Sequence, residues 1–363
     1  MGTTEARLSR GGDDVWVVVM AGGSGKRFWP WSRRSRPKQC LPVVGDASLL
    51  RQTLDRCASI APAERTIVVT AQDNASAVQE ELRGGEVVLI EPNGRNTAAC
   101  VAWAARVVED RSGGVGRMVV APADHFVGDQ EAFSGDAAHA LDLAADGWLV
   151  TLGIEPTRPE TGYGWIRTGA PLGDDDGDRR AWEVSEFKEK PSAEVASRWL
   201  AEGGRVWNSG MFFLRTDRLL GEVARWLPVH ADLFCTPGRD VEAGYDGLPP
   251  ISIDHGVMER ADKVAVVAAT FPWSDVGSWA SLDVADADGS DDGGRSIVRG
   301  DVLELDGAGN VLVGEGGLVA VLGVQGLVVA HVGDAVLVCP VDRAQEVRRL
   351  VDALEEAGRD DVL

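Results

Sequence analysis

The fold is decided by a stretch near the start of the chain that joins a strand to a glycine-rich loop. The strand is an unbroken apolar run, Val15-Trp16-Val17-Val18-Val19-Met20-Ala21. A β-branched run of this kind is typical of a strand buried on both faces inside a parallel sheet. The loop follows directly as Gly22-Gly23-Ser24-Gly25-Lys26-Arg27-Phe28-Trp29-Pro30. Its glycines let the backbone turn tightly and approach a ligand, because no Cβ stands in the way.

This loop has the chemistry of a phosphate site. Successive backbone N–H groups form an anion-binding concavity, and Lys26 and Arg27 add positive charge. A Walker A loop does not fit, because Met20 and Arg27 stand where it needs Gly and Ser or Thr. The dinucleotide fingerprint that would start at Gly23 fails, since its third glycine falls on Phe28. A nicotinamide oxidoreductase is therefore the least favoured function. A plain hairpin or linker is disfavoured by the buried strand and the two cations.

Composition narrows the class of protein further. With 36 basic and 57 acidic residues among 363, the formal net charge is −21, which argues against nucleic acid or an anionic membrane as a partner. Five cysteines without a CxxC pair indicate reduced thiols and a cytoplasmic location. Residues 1–13 lack the apolar core of a signal peptide and read as a flexible tail. No apolar run reaches the ~18 residues of a membrane span.

Short apolar strands alternate with helices through the first part of the chain. This alternation predicts an α/β fold with a Rossmann-like, mixed but mostly parallel sheet. Ligands bind such sheets at the carboxyl ends of the strands, so the glycine-rich loop and Asp124 should share one rim. The predicted strands are 66–71, 87–90, 118–122, 148–153, 207–214 and 264–269, with a strand pair at 161–166 and 182–187. The predicted helices are 49–58, 74–82, 97–108, 130–145, 193–200 and 252–260.

The composition changes after about residue 283. Residues 286–294 are almost entirely Asp, Gly and Ser, which predicts a linker that follows a catalytic domain over 14–285. Beyond the linker, short Val/Leu runs at 301–305, 311–313, 318–322, 327–331 and 335–338 precede a helix at 344–354. The region 295–363 is therefore predicted to be a small β-solenoid domain with a terminal helix.

The segment 22–33, with the following Pro37-Lys38-Gln39, resembles the signature of the sugar-1-phosphate nucleotidylyltransferases. It is most similar to the mannose-1-phosphate guanylyltransferases (GDP-mannose pyrophosphorylases), because of its Trp-Pro-x-Ser-Arg and Pro-Lys-Gln details. Two residues depart from the family pattern, which usually has Thr or Ser at Lys26 and an aromatic residue at Cys40. The resemblance also implies a short left-handed β-helix in the C-terminal part.

The resemblance implies a reaction and a cofactor. GTP and α-D-mannose 1-phosphate would give GDP-mannose and pyrophosphate, through in-line attack on the α-phosphorus assisted by Mg²⁺. One alternative is the same chemistry with another hexose-1-phosphate or nucleotide. Another is a non-catalytic, sugar-nucleotide-binding regulatory protein, which is disfavoured because the charged catalytic positions are present. The Val-rich C-terminal part offers a candidate surface for a homodimer.

The catalytic residues implied by the resemblance are Arg27, Lys38, Asp124 and Asp275. Arg27 and Lys38 would neutralise the triphosphate, while Asp124 and Asp275 would bind Mg²⁺, which prefers one or two carboxylates with phosphate oxygens and water. Asp124 lies in a Pro-Ala-Asp-His segment, and Asp275 in a Trp-x-Asp-x-Gly-x-Trp segment. Taken singly, Asp124 reads as a helix N-cap and Asp275 as a turn residue.

The remaining site residues fall into two groups. Gly162 would let its backbone approach the sugar, Glu189 and Asn208 would hydrogen-bond its hydroxyls, and Lys190 would bind its phosphate. The predicted nucleotide-binding residues are Ala21, Gly22, Gly23, Ser24, Gly25, Lys26, Arg27, Asn96, Thr97 and Asp124. The predicted sugar-phosphate-binding residues are Gly162, Glu189, Lys190 and Asn208.

Overall fold

The computed structural model describes residues 15–23, 25–173, 180–282 and 295–363. The predicted tail at 1–13, the predicted linker at 286–294 and Ser24 lie outside the described residues. The first eleven strands are β1 (Val15–Met20), β2 (Thr66–Ala71), β3 (Val87–Glu91), β4 (Arg117–Pro122), β5 (Phe126–Val127), β6 (Leu149–Ile154), β7 (Gly164–Pro171), β8 (Ala181–Glu189), β9 (Arg205–Arg215), β10 (Val264–Ala268) and β11 (Trp273–Ser274).

Nine of these strands form one sheet in the order β3-β2-β1-β4-β9-β6-β10-β8-β7. Strand β1 pairs in parallel with both β2 and β4, which gives its residues neighbours on each side. Seven of the nine strands run in the same direction, and only β8 and β9 run opposite to them. The predicted α/β fold with a mixed, mostly parallel sheet is therefore confirmed.

Helices cover both faces of this sheet. Alternate residues of β1 enter different cores, Trp16 and Val18 on the face covered by α3, α6 and α7, and Val17 and Val19 on the face covered by α1 and α4. No helix among the described residues has the length and apolar character needed to cross a membrane. The helices of this part are α1 (Leu49–Cys57), α2 (Ala75–Glu80), α3 (Asn96–Ser112), α4 (Gln130–Ala145), α5 (Ala193–Glu202), α6 (Thr216–Trp226), α7 (Pro228–Phe234) and α8 (Val241–Tyr245).

Two parts of this region differ from the sequence-based expectation. The helices α6, α7 and α8 were not predicted, although Leu219, Leu220 and Val223 of α6 have helical spacing and are buried. The helix predicted at 252–260 is a single π-helical turn over Asp254–Met258.

The C-terminal part is a four-stranded sheet followed by a helix. Its elements are β12 (Ile297–Leu305), β13 (Val311–Leu322), β14 (Leu327–Val332), β15 (Ala335–Pro340) and α9 (Val347–Glu356). Strands β12, β13 and β14 pair in parallel, so the chain repeatedly returns to the same side, as in a β-helix. The segments predicted as separate strands at 311–313 and 318–322 form the single strand β13. The predicted small C-terminal β-helix-like domain is confirmed.

The two parts share a hydrophobic core. Trp279 lies between Phe28 and Trp31, at ring-centroid distances of 5.4 and 5.6 Å. In the same cluster, Leu41 is buried with Val311 and Val313 of β13. The Trp29 indole Nε1 also donates a hydrogen bond of 2.7 Å to the Val362 carbonyl oxygen. The region after the glycine-rich loop thus forms a continuous interior with the C-terminal sheet and α9.

We predict that Leu41→Ala destabilises the protein by about 2–5 kcal/mol, because it leaves a cavity in this shared core. Leu41 is 0% exposed. The control is Val115→Ala, at an exposed apolar residue (49%) outside the C-terminal sheet. Thermal and urea unfolding should show a large loss for the first variant and a change within about 0.5 kcal/mol for the second. Equal losses would contradict the assignment of a shared core.

Candidate active site

The glycine-rich loop is fixed by hydrogen bonds to its carbonyl oxygens. The Ala21 carbonyl accepts from Gln39 Nε2 at 2.8 Å and from Thr70 Oγ1 at 3.1 Å. Asn74 Nδ2 donates to the Gly22 and Gly23 carbonyls at 3.4 and 3.2 Å. In a trans peptide the N–H that follows a carbonyl points the opposite way, so the N–H groups of Gly22 and Gly23 point away from these side chains. The exposed loop backbone can therefore cradle an anion.

Gly25 has two reasons to be glycine. Its φ of +64° lies in the left-handed region, which favours a residue without Cβ. A Cβ at this position would also lie 2.2 Å from Cβ of Lys38. The loop therefore packs directly on the short helical turn Lys38–Cys40, which carries the predicted catalytic lysine.

Lys38 joins the two predicted metal-binding aspartates. Its buried Nζ donates to Asp124 Oδ2 at 2.8 Å and to the backbone carbonyl of Asp275 at 2.8 Å. The aspartates are 151 positions apart. They meet because β5 and β11 form a two-stranded ribbon, with Phe126 opposite Ser274. The predicted convergence of Lys38, Asp124 and Asp275 is present in the structure.

Burial and neighbouring charges shift the pKa values of the acids and bases in this cluster. Burial acts to raise the pKa of Asp124, but the charge and hydrogen bond of the Lys38 ammonium lower it, and the pKa lies below its ordinary value. Burial lowers the pKa of His125, which favours a neutral imidazole. The Tyr163 hydroxyl donates to Asp275 Oδ1 at 2.6 Å, and burial followed by the Asp275 charge raises the pKa of Tyr163. Asp124 is therefore a carboxylate, and Tyr163 is a hydrogen-bond donor, at neutral pH.

Lys38, Asp124, His125 and Asp275 line one cavity of about 290 Å³ beside the loop. Arg27 is exposed at its edge and donates to the Gly277 carbonyl at 3.5 Å, which leaves most of its guanidinium free for phosphate oxygens. The cavity is lined by Gly25, Lys26, Arg27, Phe28, Lys38, Asp124, His125, Asp275, Gly277 and Arg348. One of them, Arg348, belongs to α9 of the C-terminal part and was not predicted from the sequence.

Lys26, a predicted nucleotide-binding residue, already has protein partners. Its Nζ lies 2.9 Å from Glu355 Oε2 and 3.3 Å from Asp352 Oδ1, both on α9. The hydrogen bond to Glu355 is the largest contribution to its raised pKa. The residue that departs from the family pattern thus links the loop to the C-terminal helix, and a nucleotide contact for it remains a prediction.

The residues predicted to bind the sugar phosphate lie near the end of β8 and the start of β9. Lys190 Nζ is 3.1 Å from Glu189 Oε1, and the backbone of Lys190 takes a φ of +47°. The backbone N–H of Lys190 donates to the Tyr163 carbonyl at 3.1 Å. Because the Tyr163 hydroxyl also contacts Asp275, this tyrosine connects the Lys190 region with the cavity.

The amide of Asn208 is fixed by its neighbours. Its Oδ1 accepts from Thr151 Oγ1 at 2.7 Å, and its Nδ2 donates to Asp254 Oδ1 at 2.8 Å. Burial and the nearby Glu189 raise the pKa of Asp254 to about 7. Asp254 is a residue that sequence reasoning missed, since only the fold brings it to β9.

Of the two glycines in Thr161-Gly162-Tyr163-Gly164, the second lies closer to this group. A Cβ on Gly164 would come within 2.7 Å of Glu189 Oε2 and 3.2 Å of Asn208 Cβ. Gly162 is exposed, and its N–H donates to Glu160 Oε1 at 2.9 Å. Gly164 is thus the glycine whose backbone packs closely against Glu189 and Asn208, and the approach of Gly162 to the sugar remains a prediction.

Asn96 and Thr97 begin α3, where the backbone of Asn96 takes a φ of +65°. Asn96 Oδ1 accepts from the Thr97 N–H at 2.8 Å, and Thr97 Oγ1 accepts from the Ile253 N–H at 2.9 Å. These contacts are structural, and the predicted nucleotide contacts of both residues remain predictions. Nearby, the buried Glu91 has an oxygen 3.4 Å from the place of a Gly22 Cβ.

Comparisons with known families divide the chain as the fold does. The Nucleotidyl transferase family matches residues 16–290. The MannoseP isomerase/GMP-like beta-helix domain matches residues 300–354. The first match contains the glycine-rich loop and both aspartates, and the second contains α9 up to residue 354.

Individual proteins show the same relationship over nearly the whole chain. Xanthan biosynthesis protein XanB of Xanthomonas campestris pv. campestris (strain B100) is 40% identical over 361 residues, which cover 95% of this chain and 74% of that protein. Mannose-1-phosphate guanylyltransferase of Escherichia coli (strain K12) is 37% identical over 361 residues, with the same shares of 95% and 74%. A crystal structure from Thermus thermophilus, described as a mannose-1-phosphate geranyltransferase, has 41% identity and a TM-score of 0.85, covering 94% of this chain and 99% of its own.

The predicted resemblance is confirmed, both for the sheet with the glycine-rich loop and for the C-terminal β-helix-like part. The chain belongs to the nucleotidyl transferase family and is a sugar-1-phosphate nucleotidyltransferase with mannose-1-phosphate guanylyltransferases among its homologues.

Proposed function

We propose that the protein transfers GMP from GTP to α-D-mannose 1-phosphate, forming GDP-mannose and pyrophosphate. The observation that carries this proposal is the position of Lys38, whose ammonium contacts both aspartate segments in a cavity beside the glycine-rich loop. The name of the Escherichia coli homologue supports the choice of substrates. The Trp-Pro-x-Ser-Arg and Pro-Lys-Gln segments support the same choice.

The cavity contains two aspartates, whose carboxylate oxygens are of the kind that a magnesium ion prefers. Each aspartate already uses one oxygen, Asp124 for Lys38 and Asp275 for Tyr163, and we assign the second oxygen of each to the metal. In the described part of the chain, no group of three or more His, Cys, Asp or Glu side chains is placed to hold a metal ion. A site with only two carboxylates suits Mg²⁺, which completes its coordination with phosphate oxygens and water. The ion would neutralise charge that develops on the α-phosphate.

The side chains of the protein align the two anionic substrates. The loop N–H groups and Arg27 would bind the polyphosphate of GTP, and Lys38 would add a fixed positive charge beside it. Lys190, Glu189 and Asn208 would hold the sugar phosphate on the far side of Tyr163. An oxygen of the sugar phosphate would then attack the α-phosphorus in line with the departing pyrophosphate, so catalysis consists mainly of positioning and charge stabilisation.

A homodimer remains a prediction. The exposed apolar residues of the C-terminal sheet give it a surface, for example Leu303 and Leu305 of β12 and Leu322 of β13.

The direct test measures pyrophosphate release with a panel of nucleoside triphosphates and hexose-1-phosphates, with and without Mg²⁺. We expect release only when a divalent ion and both substrates are present, with GTP and mannose 1-phosphate preferred because sugar hydroxyls and base edges are read by hydrogen bonds. A preference for another pair would change the assigned substrates but not the proposed nucleotidyl transfer. No turnover with any pair, although nucleotide binds tightly, would support a regulatory protein instead.

Lys190→Ala should raise the KM for the sugar phosphate by about tenfold or more, because it removes a charged contact to that phosphate, while the KM for GTP changes little. Lys190 is 62% exposed, so the substitution should not alter the fold. The control is Lys188→Ala on β8, two residues earlier; its side chain is 52% exposed, and its Nζ lies 3.6 Å from Glu259 Oε1. Similar losses for both substrates in the Lys190 variant would refute its assignment.

Gly25→Ala should lower kcat by about a hundredfold, because the new Cβ displaces Lys38 from the aspartates. Its matched control is Gly45→Ala, since Gly45 has a similar φ of +66° but open space where the Cβ would stand. Both variants should lose roughly 1–2 kcal/mol from backbone strain. Steady-state kinetics combined with thermal unfolding separates the two effects, and an active Gly25 variant would contradict the role of this contact.

A further inference from the structure

We infer that Arg348, on α9 of the C-terminal part, is a substrate-binding residue that contacts the β- and γ-phosphates of the nucleotide, the portion that leaves as pyrophosphate. The inference rests on the proposed nucleotidyl transfer and adds a residue to its site. It makes the C-terminal part a wall of the active site, in addition to its packing role.

The cavity supports this inference first. Arg348 lines the same space of about 290 Å³ as Arg27, Lys38 and both aspartates, although more than 70 positions separate it from Asp275. On the side formed by α9, the cavity proposed to hold the polyphosphate thus carries a guanidinium group. Guanidinium groups can bind two phosphate oxygens at once.

The two faces of α9 explain how Arg348 reaches this place. Val347 and Val351, four residues apart, are buried in the shared hydrophobic core. Asp352 and Glu355 lie on a neighbouring face with Arg348, at helical spacings of four and seven residues. These two acids pair with Lys26 at 3.3 and 2.9 Å, so the helix is tied to the turn that follows the glycine-rich loop.

Arg348 differs from the two nearby lysines in its existing contacts, and like Arg27 it has donors available for an anion. Lys38 is committed to Asp124 and to the Asp275 carbonyl, and Lys26 is committed to two carboxylates. Arg348 has a looser pair, with Nε at 3.8 Å from Asp352 Oδ2, and its side chain is 66% exposed. An exposed pair of this length contributes little to stability, so an anionic ligand can readily take its place.

The in-line geometry indicates which phosphates Arg348 meets. Tyr163 links the cavity residue Asp275 to Lys190, because its hydroxyl donates to Asp275 Oδ1 and its carbonyl oxygen accepts from the Lys190 N–H. The attacking oxygen therefore comes from the Tyr163 side, and the leaving group departs on the opposite side. Arg348 lines the cavity with Lys26 and Arg27, the cations beside the glycine-rich loop, and we therefore assign it to the leaving group.

The test compares wild type, Arg348→Ala and Arg349→Ala. Arg349 is the matched control, because it is the next residue on α9, is 75% exposed and pairs with Glu346. Binding of inorganic pyrophosphate in the presence of Mg²⁺ is measured by calorimetry on the full chain. We expect Arg348→Ala to weaken this binding and to raise the KM for GTP by about tenfold, with the KM for the sugar phosphate changed less than about twofold.

Two further readouts complete the experiment. Thermal unfolding should be the same for all three proteins. The pyrophosphate affinity of Arg348→Lys, which keeps the charge but loses the two-pronged guanidinium contact, should lie between those of wild type and Arg348→Ala. Equal pyrophosphate affinity in Arg348→Ala and Arg349→Ala, or no pyrophosphate binding by wild type, would overturn the inference. Pyrophosphate binding needs no turnover, so this test does not depend on the identity of the substrates. If no substrate pair reacts but pyrophosphate still binds and depends on Arg348, only the proposed reaction is rejected.

Discussion

The site depends on one buried ammonium group. Lys38 is almost completely inaccessible, and a buried charge is stable only when it is paired and hydrogen-bonded. Asp124 and the Asp275 carbonyl meet this need, which fixes the end of β4 relative to the β5–β11 ribbon. Lys38 in this position also requires glycine at residue 25, because a larger side chain there would overlap Cβ of Lys38. The loop, the lysine and the two acids therefore form one unit.

Sequence reasoning predicted much of this unit because its parts have local signals. The apolar run of β1 and the following glycines are contiguous, and the strand end before Asp124 follows from its own pattern. Periodicity also placed most helices and strands of the large sheet. The exceptions include α6, α7 and α8, which follow β9 with short connections, and β13, which continues through its glycines as one strand. They also include the short strands β5 and β11 and the predicted helix at 252–260, which is one π-helical turn.

The residues that were missed depend on contacts between distant parts of the chain. Tyr163 was passed over in favour of Gly162, because the link from its hydroxyl to Asp275 exists only in the folded sheet. The close approach of Gly164 to Glu189 is set by the pairing of β7 with β8. The partners of Lys26 and the position of Arg348 depend on α9, more than 300 residues after the loop, and no local pattern contains that information.

The shared core affects how the chain folds during its synthesis. Trp29 receives its partner, the Val362 carbonyl, from a residue that is 333 positions later in the chain. At a typical pace of translation, the ribosome needs roughly 15–70 s to cover that distance. During this interval Trp29, Trp31 and their apolar neighbours have left the ribosome without the surface that covers them. The nascent chain thus carries an uncovered aromatic segment until the residues around Val362 have been synthesised.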